Sequence, residues 1–390
     1  MIKNYYKKIS KELLFSVDLK SAGDKEYDCI VYTNNYNKLK DVVNGEGKKK
    51  LFEYPFINAL GLKLNEDEIF FLAKNNCVSY ISKQTRVSAQ IDVSKKIMKA
   101  DNIFDLNKKS NFSIAIIDTG ISPLIDFVLP KNRIIKFVDL INNKHKPYDD
   151  NGHGTFVTSI ACGSGLLSNK KYSGISPLSN IVSIKALDDK GETGAYKILE
   201  AMQWVYDNHK KYNIKVVCMS FGSNPADKTD PLVVGAEVLW NNGIAVVAAA
   251  GNSGPEQSTI KSPGISKKII TVGGLNDFRD EKGEYDEKKF QVAKFSSRGP
   301  VENRYFKPDL VAPAVNIVGA DLYGSYSKMS GTSVATPMIA GICMLIYANN
   351  PTISTDQLKL RLIRSCKKIS YSQNDDGFGL INVKKIFLNK

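Results

Sequence analysis

Two rhythms of apolar residues divide this chain. Between residues 27 and 81, short apolar stretches alternate with amphipathic ones. Asp28-Cys29-Ile30-Val31-Tyr32 predicts a strand, 36–43 a helix, and 51–64 a hairpin broken near Asn58. Asn65-Glu66-Asp67-Glu68 predicts a capping box that opens a helix running through Ala73, and 77–81 a closing strand. The order βαββαβ predicts a small α+β sandwich over 21–88, with 1–20 as an N-terminal extension and the polar run 82–90 as a linker. Beyond it the rhythm changes. Ile114-Ala115-Ile116-Ile117, Ile134-Ile135-Lys136-Phe137-Val138, Ile181-Val182-Ser183-Ile184, Val216-Val217-Cys218-Met219, 244–247 and Ile269-Ile270-Thr271-Val272 are short β-branched runs, with helical patterns between them at 195–208 and 231–241. This is the pattern of an α/β unit over 89–390, a doubly wound and mostly parallel sheet with helices on both faces. The charged stretch 276–291 reads as an exposed hairpin inserted into it.

Length and charge narrow the partners. A chain of 390 residues accommodates one large α/β domain and one small one. The net charge of +14 is spread along the chain, and the one dense basic run, Lys48-Lys49-Lys50, reads as a solvated hairpin tip. No nucleic-acid partner is therefore expected. No Gly-rich phosphate loop follows any strand, which disfavours a nucleotide enzyme. Leu13-Leu14-Phe15-Ser16-Val17 is too short for a secretory h-region of about 7 to 15 apolar residues, and no uninterrupted apolar stretch has membrane-spanning length. Six cysteines without C-x-x-C spacing read as reduced core thiols. The chain is expected to be cytoplasmic, with no membrane partner.

Candidate chemistry lies at strand and helix ends, where open α/β sheets place their sites. Ser333 stands in Ser330-Gly331-Thr332-Ser333-Val334-Ala335-Thr336-Pro337, in the first turn of an apolar helix that ends at Asn350-Pro351. The unsatisfied N–H groups there favour developing negative charge, and Pro337 is expected in that same turn, where its missing N–H costs nothing. Asp118 closes a strand before Thr119-Gly120. His153 sits in Asn151-Gly152-His153-Gly154-Thr155, where glycines give way to a helix. Asn252 ends the strand-to-turn run Ala250-Gly251-Asn252. An Asp to orient, a His as base, a Ser as nucleophile and an Asn to donate to an oxyanion make an acyl-transfer site. Each piece alone is commonly a turn or a cap.

Together and in this order, Asp118-Thr119-Gly120, Gly152-His153-Gly154-Thr155, Ala250-Gly251-Asn252 and Gly331-Thr332-Ser333-Val334-Ala335-Thr336-Pro337 resemble the four signature blocks of the subtilisin-like serine proteases. Phe295-Ser296-Ser297-Arg298-Gly299-Pro300 and Lys307-Pro308-Asp309-Leu310-Val311-Ala312-Pro313 resemble scaffold segments of that family. The resemblance implies a subtilisin-like fold and peptide-bond hydrolysis by Asp118, His153 and Ser333, with Asn252 and the Ser333 N–H as the oxyanion hole. It implies polypeptide substrates lying between two walls, Ser220-Phe221-Gly222 and Gly191-Glu192-Thr193-Gly194, with Lys261 lining the pocket for the residue before the scissile bond. A lysine there either pairs with acidic residues or runs its ammonium out to solvent, and both readings exclude basic residues. The βαββαβ unit is placed like the family's inhibitory prodomain, acting in cis, with self-processing expected between about Lys83 and Asp92.

No cofactor is expected for catalysis. The loop 163–172 after the His helix supplies few of the oxygens that calcium needs, and only a weaker structural site near Asp126 remains open. His145 and His209 read as ordinary surface residues. Two rival readings are a catalytically silent pseudoprotease that uses the cleft for binding, and a nucleic-acid module. The first should have lost a triad member, and the second should carry a basic cluster.

Overall fold

A computed structural model describes residues 4–10, 13–14, 26–45, 50–83, 86–89, 95–100, 111–224, 229–280, 284–302 and 304–388. In the first part of the chain, period-two alternation serves two cores. Strand β1 (Tyr27–Thr33) sends Tyr27, Cys29 and Val31 to one side and Ile30 and Tyr32 to the other, and all five are buried. It lies at the centre of an antiparallel sheet with β2 (Lys50–Tyr54), β3 (Ala59–Leu64) and β4 (Val78–Lys83), in the order β2-β3-β1-β4. The chain breaks between β2 and β3 at Asn58, which adopts the left-handed conformation with φ of 51°.

The helices Tyr36–Gly45 and Glu66–Lys74 contribute Leu39, Val43, Ile69 and Leu72 to the core that holds Tyr27, Cys29 and Val31. The second helix opens on the expected capping box, with Asn65 Oδ1 accepting from the Glu68 N–H at 3.0 Å and the Glu68 carboxylate accepting from the Asn65 N–H at 2.8 Å. The stretch read as an N-terminal extension adds Ile9 and Leu13 to the same core, so residues 4–10 and 13–14 belong to this unit. The Lys48-Lys49-Lys50 hairpin tip falls largely outside the described residues.

The opposite face of the small sheet docks on the large unit. Phe52 stacks on Tyr196 with ring centroids 4.6 Å apart, the Tyr54 hydroxyl donates to the Tyr196 carbonyl at 2.8 Å, and the Phe56 N–H donates to Gln203 Oε1 at 3.1 Å. Tyr196 and Gln203 lie on the helix Ala195–Asn208. Ile30, Tyr32, Tyr54, Ile57 and Ala59 thereby join the main hydrophobic core.

The linker expectation for 82–90 needs correction. Ser82 and Lys83 complete β4, and Arg86–Ala89 form a strand, β5. After it come β6 (Ser113–Asp118), β7 (Ile134–Asp139), β8 (Asn180–Lys185), β9 (Glu192–Gly194), β10 (Ile214–Met219), β11 (Phe221–Ser223), β12 (Ala245–Ala249), β13 (Ile270–Asn276), β14 (Gln291–Val292) and β15 (Leu310–Pro313). Eight of these build the main sheet in the order β14-β13-β12-β10-β6-β8-β7, with β15 paired to β13. Every pairing is parallel except that of β13 with β14. All six residues of β6 and all five of β12 are buried, as a sheet covered on both faces requires. The β13–β14 pairing confirms a hairpin across 276–291, with Phe290 buried at its base.

From β6 the chain passes to β7 and β8 on one side, then to β10, β12 and β13 on the other, so the strand order reverses at β6. That reversal leaves a crevice at the carboxyl ends of β6 and β10. The helix Thr332–Asn349 crosses this core; it is long and apolar enough to span a membrane by length and composition, and it is 89% buried inside the fold. Because it begins at Thr332, Pro337 is its sixth residue and not in the first turn, and the Ser333 carbonyl loses its intrahelical N–H donor. All six cysteines are free thiols, and burial raises those of Cys218 and Cys343 well above the usual range.

Phe56 is a partly buried ring of the docking face, so Phe56→Ala in a Ser333→Ala background should cost about 2 kcal/mol of stability, roughly half the toll of emptying a fully buried Phe site. Chemical denaturation followed by tryptophan fluorescence reads this directly; an unchanged midpoint would show that the face contributes nothing.

Candidate active site

Asp118 ends β6, at the point where the strand order reverses, and is 1% exposed. Its carbonyl accepts from the Ala186 and Leu187 N–H groups at 2.9 and 3.2 Å, and its Oδ1 accepts from the Thr119 N–H at 2.8 Å. The same Oδ1 touches Nδ1 of His153, the first residue of the helix His153–Cys162. Gly152 caps that helix with φ of 104°, a conformation that favours glycine, and delivers the chain to His153 at a sharp angle. An Nδ1–H that donates to the Asp118 carboxylate leaves Nε2 as the basic nitrogen of the ring.

The meeting of strand end and helix start needs a residue without a side chain. A β-carbon at Gly154 would lie 2.9 Å from the Gly120 nitrogen and 3.2 Å from Asp118 Cβ. Asp149 fastens the two segments, and the sequence reading missed it. One of its oxygens accepts from Thr119 Oγ1 (2.9 Å) and from the Asn151 and Gly152 N–H groups (3.1 and 2.9 Å); the other accepts from Thr155 N–H and Oγ1 (2.8 and 2.7 Å). The available signal was an acid four residues before a histidine that begins a helix, where a carboxylate complements the helix dipole.

Ser333 is the second residue of its helix and 2% exposed, and among the described residues its Oγ has no hydrogen-bond partner. The hydroxyl is thus uncommitted at the first turn of its helix, beside the N–H groups that have no intrahelical acceptor. Asn252 is held from behind, its Oδ1 accepting from the Thr332 N–H (2.8 Å) and Thr332 Oγ1 (3.0 Å). With the oxygen so committed, what the amide can present to a substrate oxygen is its Nδ2 donor. Ser297, from the predicted scaffold segment, steadies the same turn by accepting from the Ser253 N–H (3.0 Å) and donating its own N–H to the Gly251 carbonyl (2.9 Å).

One pocket gathers Ser220, Phe221, Gly222, Asn252, Lys261, Thr332 and Ser333. The Lys261 stem runs past Gly222 and Gly251, where an added β-carbon would strike it. Its Nζ donates to Asn224 Oδ1 at 2.5 Å, and partial burial lowers the pKa of the ammonium. The stem is therefore pocket wall while the charge sits at the rim. Beside the pocket, β5 lies between β9 and β11, antiparallel to both: Phe221 faces Ala89, Gly222 faces Ser88, and Glu192, Thr193 and Gly194 face Ser88, Val87 and Arg86. Gly191 pairs with nothing in β5; at φ of 73° it makes the turn ahead of that wall. Ser220 likewise precedes β11 and belongs to the pocket.

Asp126, the residue near which a weaker calcium site was left open, latches a loop. It is fully buried, with Oδ1 accepting from the Leu167 N–H (2.9 Å) and Oδ2 from the Tyr326 hydroxyl (2.8 Å). His145 lies in an exposed loop, while His209 is half-buried at the end of the Ala195–Asn208 helix, with Nδ1 against the Tyr206 carbonyl at 2.7 Å.

Gly154→Ala should push the His153 helix off the Asp118 turn, costing about 1–3 kcal/mol as overpacking does. It should also abolish the reaction of Ser333 with a fluorophosphonate, and retention of wild-type labelling would show that the close approach is not needed.

Comparison with known proteins agrees with this geometry. Residues 109–380 match the model of the subtilase family. The chain is 40% identical over 268 residues to serine protease AprX of Bacillus subtilis (strain 168), covering 63% of this chain and 59% of that protein. It is 29% identical over 355 residues to subtilisin amylosacchariticus of Bacillus subtilis subsp. amylosacchariticus, covering 89% of this chain and 85% of that protein. The crystal structure of fervidolysin from Fervidobacterium pennivorans, a keratinolytic enzyme related to subtilisin, superposes with a TM-score of 0.73 at 18% identity, over 98% of this chain and 63% of its own. The chain thus spans less than two thirds of two of these three relatives. With the family match extending across both strand-end loops and the Ser333 helix, the chain belongs to the subtilase family.

Proposed function

We propose that this chain is a serine endopeptidase whose own N-terminal unit acts as a prodomain in cis. The observation that carries the reading is the Asp118–His153 contact at the sheet's reversal point, beside a pocket in which Ser333 Oγ is buried without a partner. In the reaction, Ser333 Oγ attacks the peptide carbonyl while its proton passes to His153 Nε2, and Asp118 stabilises the imidazolium. The oxyanion takes hydrogen bonds from Asn252 Nδ2 and the Ser333 N–H at the helix start, where the macrodipole also favours negative charge. Collapse expels the amine, which takes the proton from His153, and leaves an acyl-Ser333. Water, deprotonated by the same histidine, then releases the acid. A fluorophosphonate should label wild type at Ser333 and leave Ser333→Ala unlabelled; an unlabelled wild type would overturn the proposal.

The placement of β5 supports the cis prodomain. A strand hydrogen-bonded to two walls beside a nucleophile occupies the place of a polypeptide substrate. β5 ends at Ala89, which faces Phe221 in the wall beside the Ser333 pocket, and self-processing falls between about Lys83 and Asp92. Terminal sequencing of purified wild type should find a new N-terminus in that stretch, with Ser333→Ala intact; a wild type that hydrolyses casein yet stays uncut would remove the prodomain role and keep the protease.

With the Lys261 ammonium at the rim of the pocket, apolar or neutral residues should precede the scissile bond. Peptides with Leu or Gln there should be cleaved about tenfold or more faster than the Lys version, a difference of about 1.4 kcal/mol or more. Lys261→Gly should narrow that gap, and equal cleavage after Lys by wild type would take Lys261 out of the pocket's selectivity.

A further inference from the structure

Lys185 is an unusual occupant of its place. It is the last residue of β8, directly opposite Asp118 in the parallel register, and its side chain is 0% exposed. An ammonium carries three N–H donors, and each here has one acceptor: the Thr119 carbonyl at 2.7 Å, the Leu187 carbonyl at 3.0 Å and Asp150 Oδ1 at 2.5 Å. The Tyr148 ring lies 5.3 Å away. Burying a cation costs several kcal/mol even when it is paired, and an apolar side chain of similar volume would commonly hold such a strand end at least as firmly. Stability alone therefore does not account for a lysine.

The identity of the three acceptors does. Thr119 follows Asp118. Leu187 donates its N–H to the Asp118 carbonyl, as does Ala186. Asp150 lies three residues before His153, next to Asp149, which ties Thr119 to the start of the His153 helix. One cation thus joins the segment that carries the carboxylate to the segment that carries the imidazole. We infer that Lys185 is a positioning residue for the Asp118–His153 pair, setting both its geometry and the local charge balance through Asp150. The inference rests on the hydrolase reading of the site.

The charge balance gives a signature that a purely structural role lacks. The ionisable groups beside Lys185 are Asp118 on β6 and Asp139 on β7, its register partners, and Tyr148 and Asp150 on the segment before the His153 helix, where Asp149 lies next to Asp150. Removing the cation leaves the carboxylates uncompensated and favours the imidazolium, so the acid limb of kcat/KM should move to higher pH. Removing the Asp150 charge leaves the ammonium uncompensated, and the limb should move to lower pH.

The test measures kcat, KM and the pH profile of kcat/KM for wild type, Lys185→Met, Asp150→Asn and the double variant, with near-UV circular dichroism to confirm folding. In Lys185→Met, kcat should fall by about 10²-fold, the scale of a small misplacement of catalytic groups, with KM changed far less. The two single variants should shift the acid limb in opposite directions, and the double variant should bring it back toward wild type while kcat stays low. Asp150 is half-exposed, so Asp150→Asn tests the charge argument even if Lys185→Met does not fold. Single variants that keep the wild-type limb and kcat would overturn the role of Lys185 alone. A wild type that neither turns over substrate nor reacts with a fluorophosphonate would overturn the hydrolase reading and this inference with it.

Discussion

A β-carbon at residue 154 would stand 2.9 Å from the Gly120 nitrogen, closer than a side chain can approach backbone, so the start of the His153 helix and the end of β6 meet only because glycine occupies that position. The remaining site geometry follows from this contact. It lets the imidazole reach a carboxylate fixed at the end of a strand buried along its whole length, and it presses the turns on either side close enough for one carboxylate, Asp149, to take five hydrogen bonds from both. Precision of this kind is bought with backbone, because strands and helix starts move less than loops.

The electrostatics follow the same plan. Asp118 and Asp149 lie close together in a poorly solvated region, where each needs either a cation or a set of N–H donors. Asp118 is met at Oδ1 by His153 and the Thr119 N–H, while its buried Oδ2 has no partner among the described residues; Asp149 is met by backbone and hydroxyl donors, and Asp150 faces Lys185. On the far side of the crevice the polarity reverses. Thr332 donates to the Asn252 oxygen, and the first turn of the Ser333 helix adds its own N–H groups. An imidazole held beside carboxylates, across a crevice from a pocket lined by donors, is an arrangement in which separated charges are stabilised with little rearrangement.

The cleft uses backbone for a different purpose. β9 and β11 are short strands with edges of unsatisfied N–H and C=O groups, and β5 satisfies both at once. Pairing of this sort runs through backbone and is indifferent to side-chain identity, while the neighbouring pocket, walled by the Lys261 stem, is shaped by side chains. The small sheet holds β5 there through its second apolar face, which explains why both faces of β1 are buried.

Much of this was legible in the sequence because it is written in local patterns. Continuous β-branched runs marked the parallel strands, the capping box at Asn65 marked a helix start to the residue, and Asp118, His153, Asn252 and Ser333 were exposed by the strand ends, glycines and helix starts around them. What local pattern could not reveal was decided by contacts between distant segments. Residues 86–89 look like a polar linker because a strand that borrows both its partners from elsewhere needs no apolar alternation of its own. Asp126 reads as an isolated acid until Leu167 and Tyr326 are seen to donate to its oxygens, and Pro337 could be moved out of the first turn only once the cap was known to be Gly331. Asp149 and Lys185 are the extreme cases. A carboxylate or an ammonium in the sequence is by default a surface charge, and only the folding of β6, β8 and the His153 helix around one point, bringing buried donors and acceptors within hydrogen-bond reach, turns these two into the braces of the site.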